Sequence, residues 1–233
     1  MKTNSQSRTA IIAAGGTGSR MGSSMPKQML LLEGLPILCH VLQRFQEAEE
    51  IDALVLVLEA SLKEQAVEYG FTSSNYSKLV SLVPGGPTRT ESVWCGLNVL
   101  SSAEIVLIHD GVRPLVSKTL IHNAVEAAQK YGAAVPALDC TDTLKRITAQ
   151  GTIAETVDRH VYRLIQTPQA FRYDVVRDIY SQCMQRGITG TDDASLAEKC
   201  GHQVHIFQGE PGNIKITFPQ DLKLAQFYLS QKI

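Results

Sequence analysis

Apolar positions along this chain follow two rhythms. Four short runs, Ala10–Ala14, Ala53–Leu58, Ile105–His109 and Gly132–Pro136, are almost unbroken in Ile, Val, Leu or Ala, and turn or loop residues follow each. Continuous apolar character is the mark of a strand covered on both faces. Between the runs the spacing becomes helical: Ile37–Ala48 carries apolar residues at 37, 38, 41, 42 and 45, and Glu91–Ser101 and Ser117–Tyr131 behave similarly. Strands alternating with helices predict βαβ units and a three-layer α/β/α architecture around a mostly parallel sheet.

The rhythm changes near residue 139. Asp139–Ile147 and Thr152–Val157 read as two strands joined by a turn through Ala149, Gln150 and Gly151. A two-stranded hairpin is marginal alone in water, so this one is expected to pack on something else, and a second subunit is the natural partner. The alternation then resumes with a helix over Asp174–Gln185, a strand over Val204–Gly209 and a closing helix over Pro219–Ser230. With no repeat, low-complexity tract or linker, the expectation is one domain over 1–233 with an arm inserted at about 139–160.

Composition narrows the class. Of 233 residues, 44% are apolar and 19% charged, the balance of a globular chain rather than a disordered one. A net charge of −1 leaves no global basic field for a nucleic-acid backbone. No apolar run approaches the roughly 18–20 residues of a membrane span, and Met1–Arg8 is too short and polar for a signal peptide. Cys39, Cys95, Cys140, Cys183 and Cys200 are scattered without a C-x-x-C pair, as expected of reduced thiols in a cytoplasmic protein. Neither membrane nor nucleic acid is therefore an expected partner.

The chemistry begins where the first strand ends. Ala13, Ala14, Gly15, Gly16, Thr17, Gly18, Ser19, Arg20, Met21 and Gly22 form a glycine-rich segment. Glycines there let the backbone approach a ligand, and exposed N–H groups can cradle phosphate oxygens. The dinucleotide fingerprint fails because Met21 stands at its third glycine and no acidic residue follows at the end of a second strand. A Walker loop fails for want of Gly-Lys-Ser/Thr, and the kinase set for want of its catalytic loop. What remains is G-G-x-G-x-R-M followed by Pro26, Lys27 and Gln28. Its two cations, Arg20 and Lys27, can flank a triphosphate from two directions.

Other residues are ambiguous by themselves. Asp110 ends a buried strand at the carboxyl edge where open α/β sheets bind ligands; a carboxylate there can hold Mg²⁺, bond a sugar hydroxyl or cap a helix. Arg113 suits a salt bridge as well as a ligand, and Thr143 and Arg159 on the hairpin suit plain surface. Cys200, His202 and His205 match no strong zinc spacing.

The motifs together carry a resemblance. G-G-T-G-S-R-M with P-K-Q resembles the sugar-phosphate nucleotidyltransferases. The blocks His109–Pro114, Thr156–Arg159, Gln166–Gln169, Thr191–Ser195 and Asn213–Thr217 are similar to those of the methylerythritol-phosphate cytidylyltransferase family, in order from about Arg8 to Leu229. The resemblance implies a Rossmann-like three-layer α/β/α fold whose protruding β-hairpin is a dimerisation arm. It implies CTP and a sugar-alcohol phosphate as substrates, a homodimer, and Mg²⁺ or another divalent cation with Asp110 at the metal. Ala13, Ala14, Gly15, Gly16, Thr17, Gly18, Gly86, Arg89, Ser92, Asp110 and Gly111 would bind the nucleotide. Asp110, Arg113, Thr143, Arg159, Thr167, Thr191 and Lys215 would bind the second substrate, with Arg159 acting in the neighbouring subunit's site. Arg20, Lys27, Arg159 and Lys215 would be catalytic. Pro87 stands where the family often has aspartate, so any base contact there must come from backbone or be absent.

The implied reaction is in-line attack of a phosphate monoester oxygen on the α-phosphorus of CTP, with pyrophosphate leaving. That nucleophile is ionised near neutral pH and needs no general base, so positioning and cationic charge would do the catalysis. A ribitol-5-phosphate cytidylyltransferase shares the glycine loop, P-K-Q, H-D-x-x-R-P and N-I-K. Thr156–Arg159 and Thr191–Ser195 favour the methylerythritol type. A non-catalytic nucleotide-binding module is the alternative of another class.

Overall fold

The protein is described by a computed structural model covering residues 7–16 and 26–231. Thr17, Gly18 and Arg20 lie outside the described residues. The first strand, β1 (Arg8–Ala14), runs parallel to β4 (Ala53–Leu58) on one edge and to β6 (Ile105–Asp110) on the other. β5 (Leu79–Pro84) extends the sheet beyond β4. Beyond β6 the sheet continues antiparallel through β11 (Gln169–Arg172) to β7 (Ala133–Asp139). β7 also pairs with β10 (Arg163–Ile165) and, in parallel, with β12 (His205–Gln208). A strand has two edges. Ala134 and Ala137 both pair with β12, while Ala134 also meets β11 and Ala137 meets β10. β10 and β11 therefore follow each other along one edge of β7, and β12 takes the other.

Period-two alternation on β1 divides the core. Ala10, Ile12 and Ala14 face α1 (Ile37–Glu47) and α4 (Lys118–Tyr131), packing on Leu38, Leu42, Phe45, Ile121 and Ala124. Ile11 faces α3 (Arg89–Asn98), α5 (Tyr173–Arg186) and α6 (Asp193–Lys199), among Val93, Leu97, Val176 and Leu196. Both faces being covered explains the continuous apolar runs and gives the expected three layers. A short helix α2 (Ala60–Glu64) lies between β4 and β5. A smaller cluster joins Leu32 of β2 (Leu31–Leu32), Ile37, Ile216 and Ala225 of α7 (Pro219–Ser230), beside β3 (Leu35–Pro36). It fastens the segment that carries Lys215 beside the segment that carries Lys27.

Element type follows the sequence pattern, and several bounds move. β7 begins after Gly132, whose φ of 85° closes α4, and it runs to Asp139. Asp139 therefore belongs to the central sheet, paired with Arg163, and not to the hairpin. The arm is shorter than expected: β8 (Lys145–Ile147) and β9 (Ile153–Thr156) form a separate two-stranded sheet, turned by Gly151 at φ 79°. All seven residues of these two strands are exposed. α3 begins two residues earlier than its apolar spacing suggests, because Thr88 and Glu91 form a capping box.

Candidate active site

Two clefts open at the carboxyl ends of β1, β5 and β6. The first is lined by Ala13–Gly16, Lys27, Gln28, Gly86–Arg89, Ser92, Asp110, Val112 and Lys215. The second, of about 500 Å³, is lined by Arg113, Gln166, Thr167, Gln169, Thr191, Asp192, Ser195 and others, and again by Arg89, Asp110 and Lys215. That volume lies in the range of small-molecule sites. The two clefts share one charged wall.

The first cleft is shaped by close backbone approach. A Cβ at Gly85 would stand 2.8 Å from Ser92 Oγ, and one at Gly15 3.1 Å from it. Ser92 Oγ accepts from Gly86 N and donates to Gly86 O, both at 3.1 Å, so it pins the turn that enters α3. The buried Gln28 donates from Nε2 to Ala14 O at 2.8 Å and to Gly16 O at 3.2 Å. These bonds hold the end of β1 against the three-residue turn Lys27–Met29, which places Lys27 on the cleft. Gly111 lines neither cleft. It donates to Ala13 O at 3.0 Å, and a Cβ there would meet Ala14 Cβ at 2.8 Å.

The shared wall is a ladder of charges. Asp110 Oδ2 lies 2.8 Å from Lys215 Nζ and 3.6 Å from Arg113 Nε, and Oδ1 lies 3.5 Å from Arg89 Nε. Burial raises the Asp110 carboxyl, but Arg89, Lys215 and Arg113 together outweigh it and hold the group well below the usual carboxylate range. Arg89 makes a bidentate pair with Asp193, both bonds 2.8 Å, and the Tyr180 hydroxyl donates to the same carboxylate. Three cations thus face two carboxylates. The wall keeps a net positive charge for an anionic ligand, which is chemistry suited to phosphate rather than to acid–base work.

His109 is fully buried, and burial pushes its imidazole down to about 4. Its Nε2 lies 3.1 Å from Arg113 O, which can only accept, so Nε2 carries the proton of the neutral ring. Nδ1 then accepts from Thr167 Oγ1 at 3.1 Å, and that hydroxyl in turn accepts from Asp110 N at 3.1 Å. Thr167 and His109 thereby fix the backbone at Asp110. Asn213 does the same for the Lys215 loop: its Nδ2 donates to Thr167 O at 2.8 Å, and its carbonyl receives Arg113 Nη1 at 2.8 Å and Gln166 Nε2 at 3.2 Å. Ile216 N bonds Val112 O at 2.9 Å.

The chain has relatives. The profile of the family described as 2-C-methyl-D-erythritol 4-phosphate cytidylyltransferase matches residues 9–231. The chain belongs to that family. A cytidylyltransferase of this name from Clostridium novyi (strain NT) is 39% identical, over 94% of this chain and 95% of its own. One from Syntrophus aciditrophicus (strain SB) is 41% identical over 96% of each chain. Among solved structures, the 4-diphosphocytidyl-2C-methyl-D-erythritol synthase of Anaerococcus prevotii aligns with a TM-score of 0.85 at 30% identity, covering 97% of both chains. The 2-C-methyl-D-erythritol 4-phosphate cytidylyltransferase of Thermus thermophilus aligns at 0.76 and 32%, covering 97% of this chain and 99% of its own.

Most residues singled out from the sequence converge. Ala13, Ala14, Gly15, Gly16, Lys27, Gly86, Arg89 and Ser92 line the first cleft, and Arg113, Thr167 and Thr191 line the second, with Asp110 and Lys215 between. Thr143 and Arg159 do not join them within one chain. Both are exposed on the arm side, and Arg159 Nη1 donates to Thr141 O. Cys200, His202 and His205 each meet a different partner: Cys183, Asp178 and the Tyr131 ring. The sequence motifs contained Gln28, Gln166 and Asn213 but assigned them no role. A buried amide between two loops leaves no periodic trace in the chain.

Proposed function

We propose that this protein transfers a cytidylyl group from CTP to 2-C-methyl-D-erythritol 4-phosphate, releasing pyrophosphate, as a step of non-mevalonate isoprenoid precursor synthesis. The observation that carries this reading is the meeting of two clefts at Arg89, Asp110 and Lys215. A transfer between two polyanions needs the attacking phosphate and the α-phosphorus side by side over cations. The triphosphate occupies the first cleft, over the N–H groups of Ala14–Gly16, with Lys27 and the Arg20 of the glycine segment on the charge that develops as pyrophosphate leaves. The acceptor occupies the second, its phosphate toward Lys215 and its hydroxyls toward Thr167, Thr191 and Arg113. The base lies toward Gly86, Arg89 and Ser92. Pro87 offers it no side-chain hydrogen bond. No general base is required, in keeping with the neutral, enclosed His109.

A divalent cation fits in one form. Among the described residues no group of three or more His, Cys, Asp or Glu side chains converges. Magnesium commonly takes one carboxylate and completes its shell with phosphate oxygens and water. Asp110 would be that carboxylate, and the cation would neutralise triphosphate charge when bound. The arm supplies the remaining group. Arg159 and Thr143 reach the acceptor phosphate from a second copy of the chain, in a homodimer that covers the apolar Ile147, Ile153 and Val161, each more than 60% exposed here.

The test is pyrophosphate release from CTP with methylerythritol 4-phosphate and ribitol 5-phosphate in parallel. Rapid release with the methylerythritol compound is expected. A faster rate with ribitol 5-phosphate overturns the acceptor assignment, and CTP binding without release reduces the protein to a nucleotide-binding module. Lys27→Ala should cut turnover about a hundredfold, the usual cost of one transition-state donor.

A further inference from the structure

Behind the wall shared by the two clefts lies a buried pair for which the proposed reaction has no direct use. Asp193 is the first residue of α6, after the N-cap Asp192, and its side chain is completely buried. It lines neither cleft. Its two oxygens take both terminal nitrogens of Arg89, and one of them also accepts from Tyr180. Tyr180 is fully buried. Burial, and then the neighbouring Asp193 charge, raise its phenol well above the usual range, so it stays a donor. Its ring stacks on Trp94, the only tryptophan of the chain, at 6.5 Å and 1° between planes. Arg177 lies over that indole at 4.7 Å.

We infer that Tyr180 and Asp193 are positioning residues that hold Arg89 in the wall between nucleotide and acceptor, and that CTP affinity depends on this hold. The inference rests on the proposed reaction for its kinetic readout. Arg89 has two carboxylates within reach, Asp193 behind it and Asp110 beside it. A bidentate pair fixes the guanidinium plane as well as its place. With Asp193 neutral, the better remaining partner is Asp110, so Arg89 turns toward it and competes with Lys215 for the same carboxylate. The first cleft then loses the edge of Arg89 that faces it.

The sign of the effect separates this from plain charge. Asp193→Asn removes a negative charge near a polyanion site, so Coulomb attraction alone predicts a lower KM for CTP. Positioning through Arg89 predicts a higher one. A purely structural role would lower the amount of active protein and leave KM unmoved.

The experiment measures kcat and KM for CTP by pyrophosphate release, with CTP titrations of Trp94 fluorescence as an independent binding readout. It compares wild type, Asp193→Asn, Tyr180→Phe, Arg89→Ala and the double variant Arg89→Ala with Asp193→Asn. Asp193→Asn should raise the CTP KM roughly tenfold with kcat within about threefold, the scale of one charge-assisted hydrogen bond. Tyr180→Phe should shift it the same way by about threefold, less than Asp193→Asn because Tyr180 reaches Arg89 only through the Asp193 carboxylate. In the Arg89→Ala background Asp193→Asn should add nothing, because coupled residues do not act additively. A CTP KM that falls or holds in Asp193→Asn, or an undiminished effect without Arg89, overturns the inference. If Asp193→Asn does not fold, an unchanged KM in Tyr180→Phe overturns it instead. A wild type that binds CTP but releases no pyrophosphate defeats the reaction and leaves the fluorescence titrations to decide the positioning.

Discussion

Replacing Asp110 by asparagine isolates what the charged wall contributes to stability. The carboxylate is 10% exposed and faces Arg113 at 11%, Arg89 at 27% and Lys215 at 38%. Arg89 keeps Asp193, whereas Arg113 and Lys215 lose the carboxylate they face. Removing one partner of a buried ion pair costs about 3–5 kcal/mol, because the remaining charge stays uncompensated. The Lys215 contact counts for little in that sum, since solvent screens it. About 3 kcal/mol is therefore expected, which for a chain of this length lowers Tm by roughly 6–12 °C. The assay is thermal unfolding of wild type and Asp110→Asn, with and without millimolar pyrophosphate. The anion should raise the variant's Tm more than the wild type's, because it pairs the stranded cations. The pH dependence follows from the lowered carboxyl. The folded pKa lies below the unfolded value of about 3.9, so the stabilisation is present above about pH 4 and is lost as pH falls toward the folded pKa. The gap between wild type and variant should stay flat from about pH 5 to 8 and close in acid. A variant within about 2 °C of wild type at pH 7 would refute the reasoning.

Three further outcomes are expected. Gln28→Met removes two hydrogen bonds and strands the buried carbonyl of Ala14, while water can reach that of Gly16, costing about 1–2 kcal/mol in urea unfolding and raising the CTP KM; an unchanged midpoint and KM would contradict that role. Mixing Lys27→Ala with Arg159→Ala, each impaired alone, should restore activity once subunits exchange, since a heterodimer with Arg159 acting in trans has one site with both residues intact; no recovery in a mixture shown to contain heterodimers means that Arg159 acts within its own chain. Gly96→Ala should destabilise by about 1–3 kcal/mol, opposite to its gain in helix propensity, because the new Cβ stands 2.8 Å from Ile11 Cγ2 and 3.0 Å from Val57 Cγ2; a raised Tm would show that the core yields there.

The antiparallel part of the sheet was least visible in advance. β10 and β11 are three and four residues long, and β10 is exposed throughout, so neither shows a period or an apolar run. Their strand character comes from β6 and β7, which lie about 25 to 65 residues away in the chain. α6 is seven residues long, too short for a helical period, and is fixed by its capping box, Asp192 with Ser195. The arm was visible as a hairpin, but its lower bound slipped because Asp139 continues β7.

By itself the sequence determined the elements whose cause is local. Continuous apolar runs set β1, β4 and β6, helical spacing set α1 and α4, and a helix over Pro219–Ser230 is α7. Gly15 and Gly16, with Lys27 beyond them, marked the end of β1 as a candidate anion site, because backbone approach needs glycine wherever it occurs. Only the tertiary structure decided how the charges are shared. Arg89 and Asp193 are 104 positions apart, and Lys215 meets Asp110 across a similar interval. Nothing in either segment encodes the other. Their pairing depends on sheet order, which places the ends of β1, β5 and β6 together and brings α6 and the Lys215 loop over them. The same distance effect left Gln166 and Asn213 without a role until their partners were in place.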